Sequence, residues 1–185
     1  DLKPWKTKNG PQCSFHQELG KGSYGQVCLA RRQTDDAILA VKVFRLRDAE
    51  GVRAPRATDA AIREIGHLRL MWPTVHGGHP NVIRLLDTWV DLAAEQVFLK
   101  LEVADCTLQC RSLIFRRFDD DRIAPTVRDM LHGLAFMHRC GVLHNDVGPR
   151  NLLMFSSALG VAWKVFMRAP IQYWMTQRGS PQPFF

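Results

Sequence analysis

Asp146 and Asn151 stand five residues apart in His144-Asn145-Asp146-Val147-Gly148-Pro149-Arg150-Asn151, a polar stretch between two short apolar runs, Val142-Leu143 and Leu152-Leu153-Met154. A carboxylate and an amide oxygen held in one loop can aim at a hydroxyl proton and at a hard metal ion. A second pattern is Gly20-Lys21-Gly22-Ser23-Tyr24-Gly25-Gln26-Val27. Glycines at this spacing let a backbone approach a phosphate chain with no Cβ in the way, although a plain glycine-rich hairpin has the same composition. A dinucleotide-binding turn would open a helix right after the third glycine. Here β-formers follow, then the polar turn Gln33-Thr34-Asp35-Asp36, so the glycines belong to a hairpin that covers phosphates from above. The third pattern is Ala40-Val41-Lys42, a lysine between apolar neighbours that needs an anionic partner if it is buried. Glu64, in Ala61-Ile62-Arg63-Glu64-Ile65, is placed to supply one; a solvated edge lysine is the plainer alternative.

These residues need elements to hold them. Val27–Ala30 and Ala37–Phe44 read as strands, and Arg45–Thr58, charged and broken by Gly51 and Pro55, reads as a loop. Apolar side chains at Ile62, Ile65, Leu68 and Met71 predict an amphipathic helix over Asp59–Trp72, with Asp59 as N-cap and Pro73 as its stop. Two β-like runs follow, Val82–Val90 and Gln96–Val103, across an acidic turn. A second helix is predicted over Ala124–Arg139. The order, strands with one helix and then mostly helix, defines a two-lobed α+β chain. We divide it into a flexible lead-in (1–14), a small β-rich lobe (15–103), part of a helical lobe (104–163) and an atypical tail (164–185) with three basic residues and no acidic ones.

Composition narrows the classes. The 185 residues are 46% hydrophobic and 23% charged, which argues against wholesale disorder. The net charge of +7 suits a protein that handles phosphates and permits polyanion binding, yet no nucleic-acid reader motif or basic-aromatic alternation is present. No apolar run approaches the ~18 residues of a membrane span, so no membrane partner is expected. The start, Asp1-Leu2-Lys3-Pro4-Trp5-Lys6, has neither an initiator Met nor an apolar signal core, so a fragment or processed piece in the cytoplasm or nucleus is expected. Cys13, Cys28, Cys106, Cys110 and Cys140 lack zinc-knuckle spacing and read as reduced structural thiols. His76 and His79 around Gly77-Gly78 read as a structural loop rather than half a metal site.

Taken together, the glycine loop, the Ala40-Val41-Lys42 strand and the Asp146…Asn151 loop resemble the protein-kinase signature set, in the same order and with matching separations over residues 15–154. The likeness sharpens toward the cyclin-dependent kinases. Asp59-Ala60-Ala61-Ile62-Arg63-Glu64 resembles that group's cyclin-contacting helix, and His79-Pro80-Asn81-Val82-Ile83-Arg84-Leu85 its H-P-N segment. Ser23-Tyr24 resembles its paired inhibitory phosphorylation sites.

The resemblance implies a protein-kinase-like fold, with a complete small lobe and a partial large lobe, and transfer of the γ-phosphate of ATP, with Mg2+, to a protein Ser/Thr hydroxyl. It implies that Lys42, held by Glu64, contacts the α- and β-phosphates under Gly20, Gly22 and Gly25. Leu19, Val27, Ala40 and Leu153 would sandwich the adenine, Leu101 would be the gatekeeper, and Glu102 and Ala104 would present backbone groups to the adenine edge. Asp146 would be the catalytic base, Asn151 a magnesium ligand, and the helix over 59–64 a meeting point for a cyclin.

The chain departs from the pattern H-R-D-L-K-P-x-N at Asn145, in place of an arginine, and at Gly148, in place of the lysine that neutralises the transferring phosphate. The segment Val161-Ala162-Trp163-Lys164-Val165 looks like the strand before D-F-G, yet Phe166-Met167-Arg168 follows, and no Asp or Glu comes after Asp146. The expectation is a truncated kinase chain without appreciable turnover, the alternatives being a degenerate kinase that binds nucleotide or a cyclin and a basic nucleic-acid-binding module.

Overall fold

The computed structural model describes residues 13–21, 25–47, 51–72, 77–114, 120–158 and 160–166. The expectations placed on Gly22, Ser23, Tyr24, Pro73, His76, the lead-in through residue 12 and the tail from Met167 lie outside the described residues. Cys13 and Ser14, read as the end of the flexible lead-in, instead open the first strand, with Cys13 buried in the core. The chain divides into two compact units. One takes in the described residues up to Ile65 together with Arg84–Val103; the other takes in Gly66–Ile83 and the described residues from Ala104 onward.

The first unit is built on one antiparallel sheet, β1 (Cys13–Lys21), β2 (Gly25–Arg32), β3 (Ile38–Arg45), β4 (Leu85–Asp91) and β5 (Gln96–Leu101), in the order β1-β2-β3-β5-β4. The polar turn between β2 and β3 closes as its residues dictate: the Asp35 carboxylate accepts from Arg32 Nε at 2.6 Å and from the Ala37 amide at 3.3 Å. Successive side chains of a strand face opposite ways, so β3 has two duties. Leu39, Val41 and Val43 join Cys13, Ala30 and Phe98 in the core, with Phe15 packed against it and the Trp89 ring stacked on Phe98 at 4.5 Å. Ala40 and Lys42, at the alternate positions, turn to the other face. Full burial of each large member of that core contributes about 1.5–3 kcal/mol.

The helix α1 runs over Pro55–Met71 and starts earlier than the sequence reading has it. Ala54 stands at its N-terminus, its carbonyl accepting from Ala57 and Thr58 at 3.0 and 3.1 Å. Pro55 is the first helical residue, where its fixed φ and missing N–H are both favourable. Asp59 is therefore not the N-cap; it lies one turn inside and faces Arg63 at 3.7 Å. The buried face is also rotated: Ala57, Ala60, Ala61, Glu64, Leu68 and Met71 are inside, while Ile62 is 65% exposed.

In the second unit, α2 (Leu108–Ile114) and α3 (Asp120–Arg139) accompany a small sheet of β6 (Cys106–Thr107), β7 (Leu152–Ser157) and β8 (Gly160–Val165). The sequence reading starts this helix at Ala124, where its apolar period sets in; α3 begins earlier, at Asp120, and carries Pro125 inside it. Val82, read as the head of a strand, forms only an isolated bridge to Val165, and β4 begins at Leu85. Lys164 and Val165, placed at the head of the tail by the sequence, complete β8.

Candidate functional site

In the first unit, strand register gathers one set of candidate residues. Val27 lies opposite Lys42, and Ala40 opposite both Leu29 and Leu101, so Val27, Ala40, Lys42 and Leu101 share one face of the sheet. Ala40 and Leu101 are buried and Val27 is half-buried, whereas Leu19, at a bulge of β1, is 48% exposed. Gly20 sits opposite Val27 at the end of the hairpin. Gly25 has a packing reason of its own: a Cβ there would stand 2.4 Å from the Val43 carbonyl oxygen. This third glycine of the loop is needed for the close approach of β2 to β3, whatever the loop covers.

Lys42 and Glu64 meet on that face. Lys42 Nζ donates to both carboxylate oxygens of Glu64, at 2.6 and 2.5 Å. The two residues are only 7% and 1% exposed. The Lys42 ammonium also lies 4.9 Å from the centroid of the Phe44 ring. A buried ammonium survives only with such a partner, and removing one member of a buried pair costs about 3–5 kcal/mol. The solvated-edge alternative for Lys42 is overturned. Beyond β5, the Glu102 carboxylate accepts from the Arg84 amide at 2.8 Å, a use of this side chain that the sequence did not suggest.

In the second unit the candidate residues lie in the loop 144–151. His144 is buried; its Nε2–H donates to the Phe166 carbonyl at 3.0 Å and its Nδ1 accepts from the Asp146 amide at 3.2 Å. Those two bonds require the neutral ring, and burial lowers its pKa below the ordinary histidine value. Asn151, on the 3-10 turn Pro149–Asn151, is 2% exposed and donates from Nδ2 to the Asp146 carbonyl at 2.7 Å and to the Asp146 carboxylate at 2.8 Å. Leu153 follows in β7, opposite Thr107. Asn145 has φ +54°, the left-handed region that asparagine tolerates better than arginine does, so the residue found there suits the backbone.

Residues outside the sequence reading of this site hold β8 against it. Asn81 donates from Nδ2 to the Trp163 carbonyl at 2.9 Å and accepts at its own carbonyl from the Val165 amide at 2.8 Å. Asp129 of α3 accepts from the Trp163 amide at 3.1 Å. Gly133 brings α3 so close that a Cβ would stand 2.4 Å from the Asn81 carbonyl oxygen. The Phe166 amide then donates to the Asn151 carbonyl at 2.8 Å, which ties the end of β8 to the loop. The H-P-N segment was the one signal pointing here, and its asparagine is the working part. His79 of that segment stacks on Phe136 at 5.2 Å and accepts from the Asn81 amide at Nδ1, a structural use that matches the loop reading.

The donor set can be tested for magnesium. Asn151 Oδ1 is buried with no hydrogen-bond partner, while Nδ2 is fully engaged on Asp146. A neutral oxygen held open beside a carboxylate fits a hard cation. Among the described residues no group of three or more metal-ligating side chains is gathered, so Asn151 supplies one ligand and not a cage.

A two-part α+β chain with a glycine hairpin, a buried lysine–glutamate pair on the sheet and an Asp…Asn loop beside a hairpin of strands defines the architecture of a kinase domain. The family model for the protein kinase domain matches residues 13–162, and the chain belongs to that family. It is 34% identical to cyclin-dependent kinase B2-1 of Arabidopsis thaliana, over 75% of this chain and 44% of that protein. It is 34% identical to Aurora kinase A-A of Xenopus laevis, over 75% of this chain and 32% of that protein. It is 31% identical to cell division control protein 2 homolog 1 of Trypanosoma brucei brucei, over 89% of this chain and 58% of that protein. The chain thus spans less than half the length of the first two of these relatives. Among the described residues no helix is long and apolar enough to cross a membrane.

Proposed function

We propose that this chain binds ATP with magnesium in the manner of a protein Ser/Thr kinase, and that as written it transfers phosphate poorly or not at all. One observation carries the binding half: the buried Lys42 held by both oxygens of Glu64. A lysine so oriented is pre-organised to present its charge to the α- and β-phosphates without further reorganisation. Gly20 and Gly25 would approach the phosphates from the hairpin, with Gly22 between them. Val27, Ala40, Leu19 and Leu153 would enclose the adenine, with Leu101 behind it and the backbone of Glu102 and Ala104 along its edge.

The catalytic half rests on the loop 144–151. Asp146 would accept the proton of a substrate hydroxyl, its carboxylate steadied by Asn151 Nδ2. Asn151 Oδ1 would hold magnesium, which when bound neutralises charge on the β- and γ-phosphates. Two supports are missing. Gly148 brings no cation, and Phe166-Met167-Arg168 brings no carboxylate after β8. Each such electrostatic loss is worth ~10²–10³ in rate. The substrate is a protein hydroxyl by the same reading. A cyclin is the fitting partner for α1, whose outer face leaves Ile62 at 65% and Leu70 at 49% exposure. Ser23 and Tyr24 remain the candidate regulatory hydroxyls.

Calorimetric titration with Mg-ATP tests the proposal. Binding should be detectable and should weaken about tenfold or more in Lys42→Met, the size of a charge-assisted hydrogen bond. Equal affinity in the two proteins would end the phosphate role of Lys42.

A further inference from the structure

We infer that Arg47 and Glu95 form a strap that sets the position of α1, so that the Lys42–Glu64 pair closes within this chain and needs no partner protein to close it. The strap lies wholly within the first unit and is built from consecutive links. Glu95 sits in the turn between β4 and β5 at φ +48°, a left-handed conformation unfavourable for a glutamate. There it presents both its backbone and its side chain to the segment that leaves β3. Its carbonyl accepts from the Leu46 amide at 2.9 Å, and its carboxylate accepts from Arg47 Nη2 at 2.9 Å and from Arg47 Nε. Arg47 Nη1 donates onward to the Gly51 carbonyl at 2.6 Å. Arg47 and Arg53 form an antiparallel bridge, and the Ala54 amide donates to the Leu46 carbonyl at 2.8 Å. Ala54 is the residue whose carbonyl receives the first bonds of α1.

The turn at Glu95 therefore holds the β3 end of the segment between β3 and the helix, and Leu46 and Arg47 in turn hold its helix end at Arg53 and Ala54, and with it the start and rotation of α1. Rotation is what matters for Glu64. An α-helix turns about 100° and rises about 1.5 Å per residue, so a slip of one residue at Pro55 would swing Glu64 off the sheet face that carries Lys42. An ordinary exposed ion pair would be too weak for this task. This one is two-pronged, shares its arginine with a backbone carbonyl and is backed by a main-chain bond. The Glu95 carboxyl is held below its ordinary range, chiefly by the Arg47 hydrogen bonds, with Arg53 adding to the effect. The left-handed turn at Glu95 brings its carbonyl and its carboxylate to adjacent residues of one segment, Leu46 and Arg47.

The nucleotide readout of the strap rests on the ATP reading above; its structural readout does not. Amide hydrogen exchange of the full chain over residues 55–64 is the first measurement. Glu95→Gln should speed exchange in that segment by on the order of tenfold while leaving β2 and β3 unchanged, and Arg47→Ala should do the same, with little further effect when the two are combined. Mg-ATP titration is the second. If Glu64 holds Lys42 in place for only part of the time, apparent affinity falls by that fraction, on the order of threefold to tenfold in Glu95→Gln. In a Lys42→Met background the same substitution should cost nothing further, which a general loss of structure would not reproduce. Unchanged exchange over 55–64 overturns the strap, as does an equal affinity loss in both backgrounds. Loosening of α1 in a chain that binds no ATP supports the strap and overturns the nucleotide reading instead.

Discussion

Asn151 spends its amide nitrogen twice on one residue, at the carbonyl and at the carboxylate of Asp146, 2.7 and 2.8 Å away. The catalytic-base candidate and the metal-ligand candidate are thus one hydrogen-bonded unit, and the geometry leaves Asn151 Oδ1 as the open atom. Asn151→Leu removes a buried donor that Asp146 relies on. We expect a loss of about 1–3 kcal/mol in urea unfolding, the penalty of unsatisfied buried polar groups, together with loss of the magnesium dependence of ATP binding. Unfolding at the wild-type denaturant midpoint would show that the pair does not support the loop.

Gly148 offers a direct test of the missing cation. Its φ of −170° is extended backbone open to any residue, and a Cβ there would meet no atom within 4 Å. Gly148→Lys should therefore fold with stability within ~0.5 kcal/mol of the parent. If transfer is limited by charge at the phosphate, radiolabelled phosphate incorporation into a basic protein should rise, by up to ~10². A rise that also occurs in Gly148→Lys with Asp146→Asn would assign the signal elsewhere. Adding Asn145→Arg should cost stability, since φ +54° disfavours arginine.

The pairing of Lys42 with Glu64 was legible because a lysine among apolar neighbours demands a partner, and Asp146 and Asn151 were singled out together because their motif is short and contiguous. The start of α1 was misplaced because Asp59 looks like a cap, whereas Pro55 fits the first helical position without needing one. The buried face was misjudged at Ile62 because alanines and a glutamate, not the large aliphatics, fill the helix side that is covered. Of the clamp on β8 only Asn81 was flagged, through the H-P-N segment; its partners Asp129 and Gly133 were not, since the clamp joins residues up to 82 positions apart that share no local pattern. The Arg47–Glu95 link was hidden for the same reason.

Gly133 illustrates that hidden layer. A methyl group there would stand 2.4 Å from the Asn81 carbonyl oxygen and 2.9 Å from Val165 Cγ2. Alanine is the better helix former by about 1 kcal/mol, so an isolated helix would gain from the change. Packing should reverse that sign: overpacking costs typically ~1–3 kcal/mol, and here it must push apart α3, Asn81 and β8. Gly133→Ala should lower the thermal midpoint, and Gly66→Ala, with open space around it, should not.

His144 should contribute to the acid limit of the second unit. In the fold it is neutral, with Nδ1 accepting from the Asp146 amide and Nε2–H donating to the Phe166 carbonyl, and burial holds its pKa below the ordinary value of 6.5. His79 is shifted the same way, first by burial and then by Arg139 and His132. The unfolded chain thus binds protons that the folded chain refuses, and stability falls wherever that difference is open. The contribution is complete above about pH 6.5 and is lost as pH drops from there through the lowered folded values. Denaturation midpoints measured from pH 8 to pH 5 should be level at first and then decline. His144→Asn keeps a side chain able to accept and donate in that space without titrating in this range, so its decline should be shallower. A parallel decline in wild type and His144→Asn would mean that other groups set the acid limit.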